Sequence, residues 1–349
     1  MSNLHKLYVL GHPVAHSKSP IMHNALYYEL GLDWEYALMD CKCEEDARKF
    51  IRAGDYLGLN VTTPYKPLAY ECAGERGAHE TAVLAQGANV LVRGGDGDCE
   101  VISVDRTDGN VHAHADAGFN PMYAFNVDGL GCVRALMREG IDIRKQRVMI
   151  CGTGPTSLSI MAAVLQAGAP RVALLGRDEN RAKNVLDAWR FRKKTLTIYK
   201  SPNNSNICLD SMLGFMPEKH NVKNDRAVNS GESSVDNKRI VAGSYSAHAR
   251  DILNATLIID ATPLGMNAGD PTPFDPAFIS PGTCVFDVVY GHGKTALERA
   301  TLGAGAKYTD GEGMLVAQAT LSAQIFMDSQ GVSKPDFGDA FEIMEDALA

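Results

Sequence analysis

The sequence predicts an α/β protein of two domains, and three observations carry that reading. Strand and helix signals alternate over residues 6–61 and again over residues 147–311. A helix between two strands, repeated, implies a parallel sheet built of βαβ units. A glycine-rich turn, CGTGPTS, opens the second series just after a strand pattern. The 349 residues also suit two domains, at roughly 150 residues each.

In the first series KLYVLG (6–11) reads as a strand. SPIMHNALYYELG follows as a helix, with Ser19 as N-cap, Pro20 in the first turn and Gly31 as the stop. WEYALMD (34–40) is strand-like. CEEDARKFIRAG (43–54) carries Ala47, Phe50 and Ile51 at helical spacing, and YLGLNV (56–61) is a third strand. ANVLVR (88–93) and EVISVD (100–105) flank GGDGD and predict a hairpin, while residues 106–122 read as an inserted loop. GLGCVRALMREG (129–140) reads as a helix.

The second series runs from RVMICGTGPTSLSIMAAVLQAGA (147–169) through RVALLGR (171–177) to a helix from Asp178. TLIIDATP (256–263), TCVFDVVY (283–290) and AKYTDG (306–311) follow as strands, then an apolar closing helix, 313–328. Residues 201–239 are polar and without period, which predicts a long excursion outside the core.

Composition narrows the function classes. With 45% hydrophobic and 22% charged residues the chain reads as an ordinary soluble globular protein. A formal net charge of −8 argues against general affinity for nucleic acid or an anionic membrane. The start of the chain has no secretory pattern and no apolar run is long enough to span a bilayer, so a cytoplasmic protein is expected. The eight cysteines are scattered and read as reduced thiols. His112, His114 and Asp116 are the nearest thing to a ligand cluster. They lack a second cluster at a known spacing, so no metal site is expected.

In the glycine turn, Gly152 and Gly154 lie where a dinucleotide's pyrophosphate would meet the N-terminus of a helix. Pro155 suits the first helical turn, and Ser157 occupies the third glycine position. Gly152, Thr153, Gly154 and Pro155 are therefore the expected cofactor contacts. The next strand ends in LLGRDENRA. Arg177 and Arg181 favour a 2′-phosphate and hence NADP, whereas Asp178 suits the free ribose of NAD.

Several stretches together resemble the shikimate dehydrogenase family, in the right order and over most of the chain. GHPVAHSKSPIMHN (11–24) is similar to its HSxSPxxHN signature, and GLNVTTPYK (58–66) to its NVTxPxK motif. GANV, NVDG, the glycine turn, GRDENRA, ATPLGM, DVVY and GEGMLVAQ complete the series. Val127 stands where the family has Thr, and the stretches near 106–122 and 201–239 are longer than usual.

The resemblance implies two α/β domains with the active site in the cleft between them. Residues 1–127 with 313–349 would bind substrate, and 128–312 would form the Rossmann-type NADP-binding domain. It implies reversible reduction of 3-dehydroshikimate to shikimate, with Lys66 and Asp128 as the catalytic pair. Lysine either gives a proton to the forming alkoxide or holds its charge, and aspartate orients it. Ser17 and Ser19 carry over as carboxylate binders, and Thr62, Asn89 and Gln318 as partners of ring hydroxyls. Tyr290, Gly311 and Met314 match positions near substrate or nicotinamide. A quinate or dual quinate/shikimate dehydrogenase using NAD or NADP is the runner-up, and a non-catalytic sensor on the same fold the third reading. A monomer or homodimer is expected, with a small-molecule substrate.

Overall fold

The computed structural model describes residues 5–93, 99–104, 111–116, 122–195 and 239–349, without side chains at 75–76, 99–104 and 111–116. They fall into two compact units. The first lies within Met1–Gly131, Phe191–Met212 and Val316–Ala349, the second within Cys132–Arg190 and Leu213–Leu315.

In the first unit β1 (His5–Gly11), β2 (Trp34–Asp40), β3 (Gly58–Val61), β4 (Val90–Arg93) and β7 (Met122–Phe125) form a sheet of order β2-β1-β3-β4-β7. The first three strands are parallel; β4 and β7 join antiparallel. Helices α1 (Ser19–Glu29) and α2 (Glu44–Ala53) make the crossovers, and Gly54 ends α2 at φ +72°, where a glycine is needed. Side chains alternate across β3. Leu59 and Val61 join Leu10 and Ile51 in one core, while Gly58 turns the other way, where an added Cβ would strike the Phe326 ring. Phe326 belongs to α10 (Glu312–Ser329), and α11 (Phe337–Asp346) packs on α1.

Several elements of this unit depart from the sequence reading. Two helices not expected there, α3 (Lys66–Gly77) and α4 (Glu80–Ala85), fill residues 66–85. The predicted hairpin is also re-paired. β4 lies between β3 and β7, and β5 (Cys99–Val104) pairs instead with β6 (Val111–Asp116), inside the stretch read as a loop. The Gly, Asp and Asn flanking VHAHAD hid its period-2 alternation. GGDGD lies outside the described residues, as does the polar stretch 201–239 apart from Arg239.

The second unit is a six-stranded, wholly parallel sheet of order β10-β9-β8-β11-β12-β13. Its strands are β8 (Arg147–Cys151), β9 (Arg171–Gly176), β10 (Ile240–Ser244), β11 (Leu257–Asp260), β12 (Cys284–Asp287) and β13 (Lys307–Thr309). Relabelled from β8, that is the doubly wound 3-2-1-4-5-6 order, which reverses between β8 and β11. Buried on both faces, the strands read as near-continuous apolar runs such as LIID and VMIC. Helices α6 (Pro155–Gln166) and α9 (Ala296–Gly303) belong to it, as do α7 (Glu179–Thr195), up to Arg190, α5 (Asp128–Arg138), from Cys132 on, and the short α8 (Ala249–Leu253). Strand β10 and helix α8 follow the polar excursion and are not expected from the sequence pattern, because five residues are too few for a clear period.

Candidate active site

The loop from Val61 to Lys66 is pinned at both ends. Thr62 N–H donates to the Leu10 carbonyl at 2.8 Å, and the Tyr65 hydroxyl donates to the Cys41 carbonyl at 2.7 Å. Gly11 lets the two loops touch, since a Cβ there would collide with the Thr62 methyl and with Val14. The residues flanking Lys66, with Pro64 and Pro67, give no helical pattern in the sequence. In the structure Lys66 is the first residue of α3, because Pro67 suits a first helical turn that needs no N–H from it.

That turn aims the lysine at Asp128. Lys66 Nζ donates to Asp128 Oδ2 at 2.6 Å, with side-chain exposures of 15% and 1%. The other carboxylate oxygen, Oδ1, accepts from Asn89 Nδ2 at 2.7 Å. Asn89 Oδ1 in turn accepts the Val127 N–H at 2.9 Å, and Asn126 Oδ1 accepts the Asp128 N–H at 3.1 Å. Both carboxylate oxygens thus have short, charge-assisted or amide partners. Asn126 is wholly buried and also donates to the Gly87 carbonyl at 2.9 Å. Sequence reasoning passed over it, and its only signal was its place two residues before Asp128.

Gln318 joins from α10, with Oε1 at 3.5 Å from Asn89 Nδ2. A Cβ on Gly131 would press on the Gln318 backbone, so glycine there sets how near α10 approaches. Ser17 and Ser19 lie together, Oγ to Oγ at 3.2 Å, and Ser19 N–H points to Ser17 Oγ at 3.3 Å. Ser19 is not the N-cap of α1. Lys18 holds that position and makes no side-chain cap, because Ser19 and Pro20 already lie in the first turn. Val127 is fully buried, so its side chain is core. Lys66, Asp128, Asn89, Gln318, Ser17, Ser19 and Thr62 all belong to the first unit.

In the second unit Gly152 sits at φ +105°, and a Cβ there would meet Ser157 Oγ at 2.8 Å. Gly154 is the N-cap of α6 and Pro155 its first residue; no side chain caps the helix, and an added Cβ on Gly154 meets nothing. Thr153 lies between them, its methyl 3.3 Å from where a Gly176 Cβ would stand. Ser157 Oγ is buried without a hydrogen-bond partner. Uncapped amides, an open glycine and an orphaned hydroxyl fit a dinucleotide's phosphates. Arg177 and Arg181 are exposed at the end of β9 and the start of α7. Asp178 Oδ1 accepts the Arg181 N–H at 2.9 Å, so one carboxylate oxygen is committed to capping α7.

Tyr290 lines a polar cavity of about 370 Å³ with His292, Lys307 and Asp310. Burial pushes its phenol pKa up. Gly311 is explained by packing, since any Cβ would drive into the Val288 carbonyl. Met314 is 4% exposed and lies in the core. At the ends of neighbouring strands, Asp260 and Asp287 are register partners and fully buried. Burial and Asp287 push Asp260 up to about 7, and burial, with Asp310, pushes Asp287 up to about 6. Among the described residues no three His, Cys, Asp or Glu side chains gather as metal ligands, and no helix is long and apolar enough to cross a membrane. The side chains of His112, His114 and Asp116 lie outside the described residues.

The sheet order and the glycine turn define a protein with a dinucleotide-binding unit and an N-terminal α/β unit that carries a buried lysine–aspartate pair. Residues 9–91 match the family model of the shikimate dehydrogenase substrate binding domain. The shikimate dehydrogenase (NADP(+)) of Rubrobacter xylanophilus is 28% identical over 313 residues, covering 89% of this chain and 86% of the relative. Shikimate 5-dehydrogenase from Thermus thermophilus, solved with NADP(H) and shikimate, shares the fold at TM-score 0.67 and 21% identity, over 99% of this chain and all of that one. Quinate dehydrogenase from Corynebacterium glutamicum, solved with NAD, shares it at TM-score 0.63 and 20% identity, over 98% and 99% of the two chains. Over most of its length the chain is similar to shikimate dehydrogenases, and its residues 9–91 to their substrate binding domain.

Proposed function

We propose that this chain is an NADP-dependent shikimate dehydrogenase, reversibly reducing 3-dehydroshikimate to shikimate. The observation that carries the reading is the 2.6 Å Lys66–Asp128 pair, with Asn89 on the second carboxylate oxygen. Residues 1–127 with 313–349 are the substrate-binding part and 128–312 the NADP-binding part. NADPH, when bound, supplies the hydride.

Reduction gathers negative charge on the ketone oxygen, and a preorganised cation in a poorly hydrated place stabilises that charge strongly. Lys66 is that cation and the proton source, and Asp128 fixes its direction. Ser17 and Ser19 pair near a helix start whose dipole favours the substrate carboxylate. Thr62, Asn89, Gln318 and Tyr290 pair with ring hydroxyls, and a substrate lacking one would leave a buried polar group unmet. Gly152 to Pro155 hold the pyrophosphate, with Gly311 and Met314 beside the nicotinamide. Arg177 and Arg181 hold the 2′-phosphate.

A quinate-using enzyme is the second reading, favoured by the apolar, buried Val127 and by Asp178 beside the two arginines. The test is kcat/KM for shikimate and for quinate, each with NADP and with NAD. The highest value is expected for shikimate with NADP. A clear preference for quinate overturns the main reading.

A further inference from the structure

Behind the Lys66–Asp128 pair runs a partly buried column of polar groups that make no direct bond to either member of it. Tyr36, 2% exposed on β2, donates its hydroxyl to Asn60 Oδ1 at 2.7 Å. That contact orients the amide, so Asn60 Nδ2 faces Asn89 and donates to its carbonyl at 3.2 Å. The same carbonyl accepts the Val61 N–H at 2.9 Å. The Asn89 main chain is thus clamped twice on β3, while its side chain reaches Asp128 Oδ1 and the Val127 N–H.

The far end of the column is held as firmly. Asn24 grips the Tyr36 main chain on both sides, accepting its N–H at 2.8 Å and donating to its carbonyl at 2.9 Å. The Tyr36 ring stacks on His23, with centroids 4.1 Å apart and planes 4° apart. His23 Nδ1 meets the Tyr27 hydroxyl at 2.9 Å, and burial pushes the imidazole down to about 3, so it is neutral. A phenylalanine would fill the volume at position 36 equally well, and a buried hydroxyl is tolerated only where it is hydrogen-bonded. Among the described residues that hydroxyl pairs with Asn60, whose amide nitrogen donates to the Asn89 carbonyl.

We propose that Tyr36 and Asn60 are positioning residues for the Lys66–Asp128 pair. Held by His23 and Asn24, they fix the main chain of Asn89 and so the angle at which Asp128 receives the lysine. The His-Asn end of the HSKSPIMHN stretch and the Asn of NVTTPYK therefore belong to one support. The kinetic part of this inference rests on the proposed shikimate activity; the positioning part does not.

The test compares Tyr36→Phe, Asn60→Ala and the double variant in the full-length protein. Tyr36→Phe is expected to lower kcat for shikimate roughly five-fold, the worth of one such hydrogen bond, with KM changed less than about two-fold. The double variant should match Asn60→Ala alone, because the tyrosine acts through the amide. In protein labelled with 15N-lysine, the Lys66 ammonium signal should shift in all three variants. An unshifted Lys66 signal in folded Tyr36→Phe, or additive losses in the double variant, overturns the proposal. Should Tyr36→Phe fail to fold, the Lys66 signal of Asn60→Ala decides alone. A wild-type protein inactive on shikimate fails the functional reading, and the ammonium signal still decides the positioning.

Discussion

The two units each bury carboxylates, and they treat them in opposite ways. Asp128 in the first unit has Lys66 on one oxygen and Asn89 on the other. Asp260 in the second unit has Thr262 N–H on Oδ1, nothing on Oδ2, and another aspartate as its strand neighbour. Its other strand partner is Cys151, whose thiol burial pushes well up, and Tyr245 packs nearby, its phenol likewise pushed up. A buried charge is stable only when it is paired, and otherwise the group takes up a proton. The first unit therefore presents a lysine–aspartate ion pair, and the second two crowded carboxyls, raised in pKa by burial, at the ends of adjacent interior strands.

The hardest blow to this contrast would come from Lys66→Ala. On the proposed mechanism kcat should drop by roughly 10²–10⁴-fold, with KM changing only modestly, because the lysine acts on charge that develops in the transition state. Steady-state kinetics would show it, and a kcat surviving within a few-fold would end the proposed role.

The second unit can be broken through pH. Asp260 and Asp287 bind protons in the folded state with pKa values of about 7 and about 6, against 3.8 when free. Between those limits the folded chain holds more protons than the unfolded one, so stability falls as pH rises from about 4 to about 7. Asp260→Asn keeps the shape, ends the conflict with Asp287 and should stabilise the protein at pH 8 by about 2–4 kcal/mol, with little effect at pH 4. Urea titrations at the two pH values measure it, and equal effects at both would refute the raised pKa of Asp260.

The smallest expected effect concerns the cofactor. Arg181→Ala should weaken NADP roughly ten-fold relative to NAD, the loss of one exposed guanidinium–phosphate contact. A ratio of kcat/KM values unchanged between the cofactors would shift the 2′-phosphate to Arg177 alone.

Much of this was legible in the chain. The alternation of strands and helices, the glycine turn and the motifs around Ser17 and Lys66 all lie in short windows where local chemistry speaks. The helix at Lys66 is not signalled by the sequence because two prolines flank the lysine, although Pro67 suits a first helical turn. The partner of β5 was missed because strand pairing depends on contacts distant in sequence. Gly11 and Gly311 look alike in sequence, yet only the packing shows that each is needed for a close approach.

By itself the sequence determined the class of fold, the position of the dinucleotide turn and the residue types at the site, since periodicity and turn chemistry act within a few residues. The tertiary structure alone decided that Asn60, Asn89 and Asp128 meet, that Tyr36 stands behind them, and that Asp260 faces Asp287 without a cation. Those contacts join residues 24, 29 and 39 positions apart (36 and 60, 60 and 89, 89 and 128), and no local propensity encodes which buried polar group finds a partner.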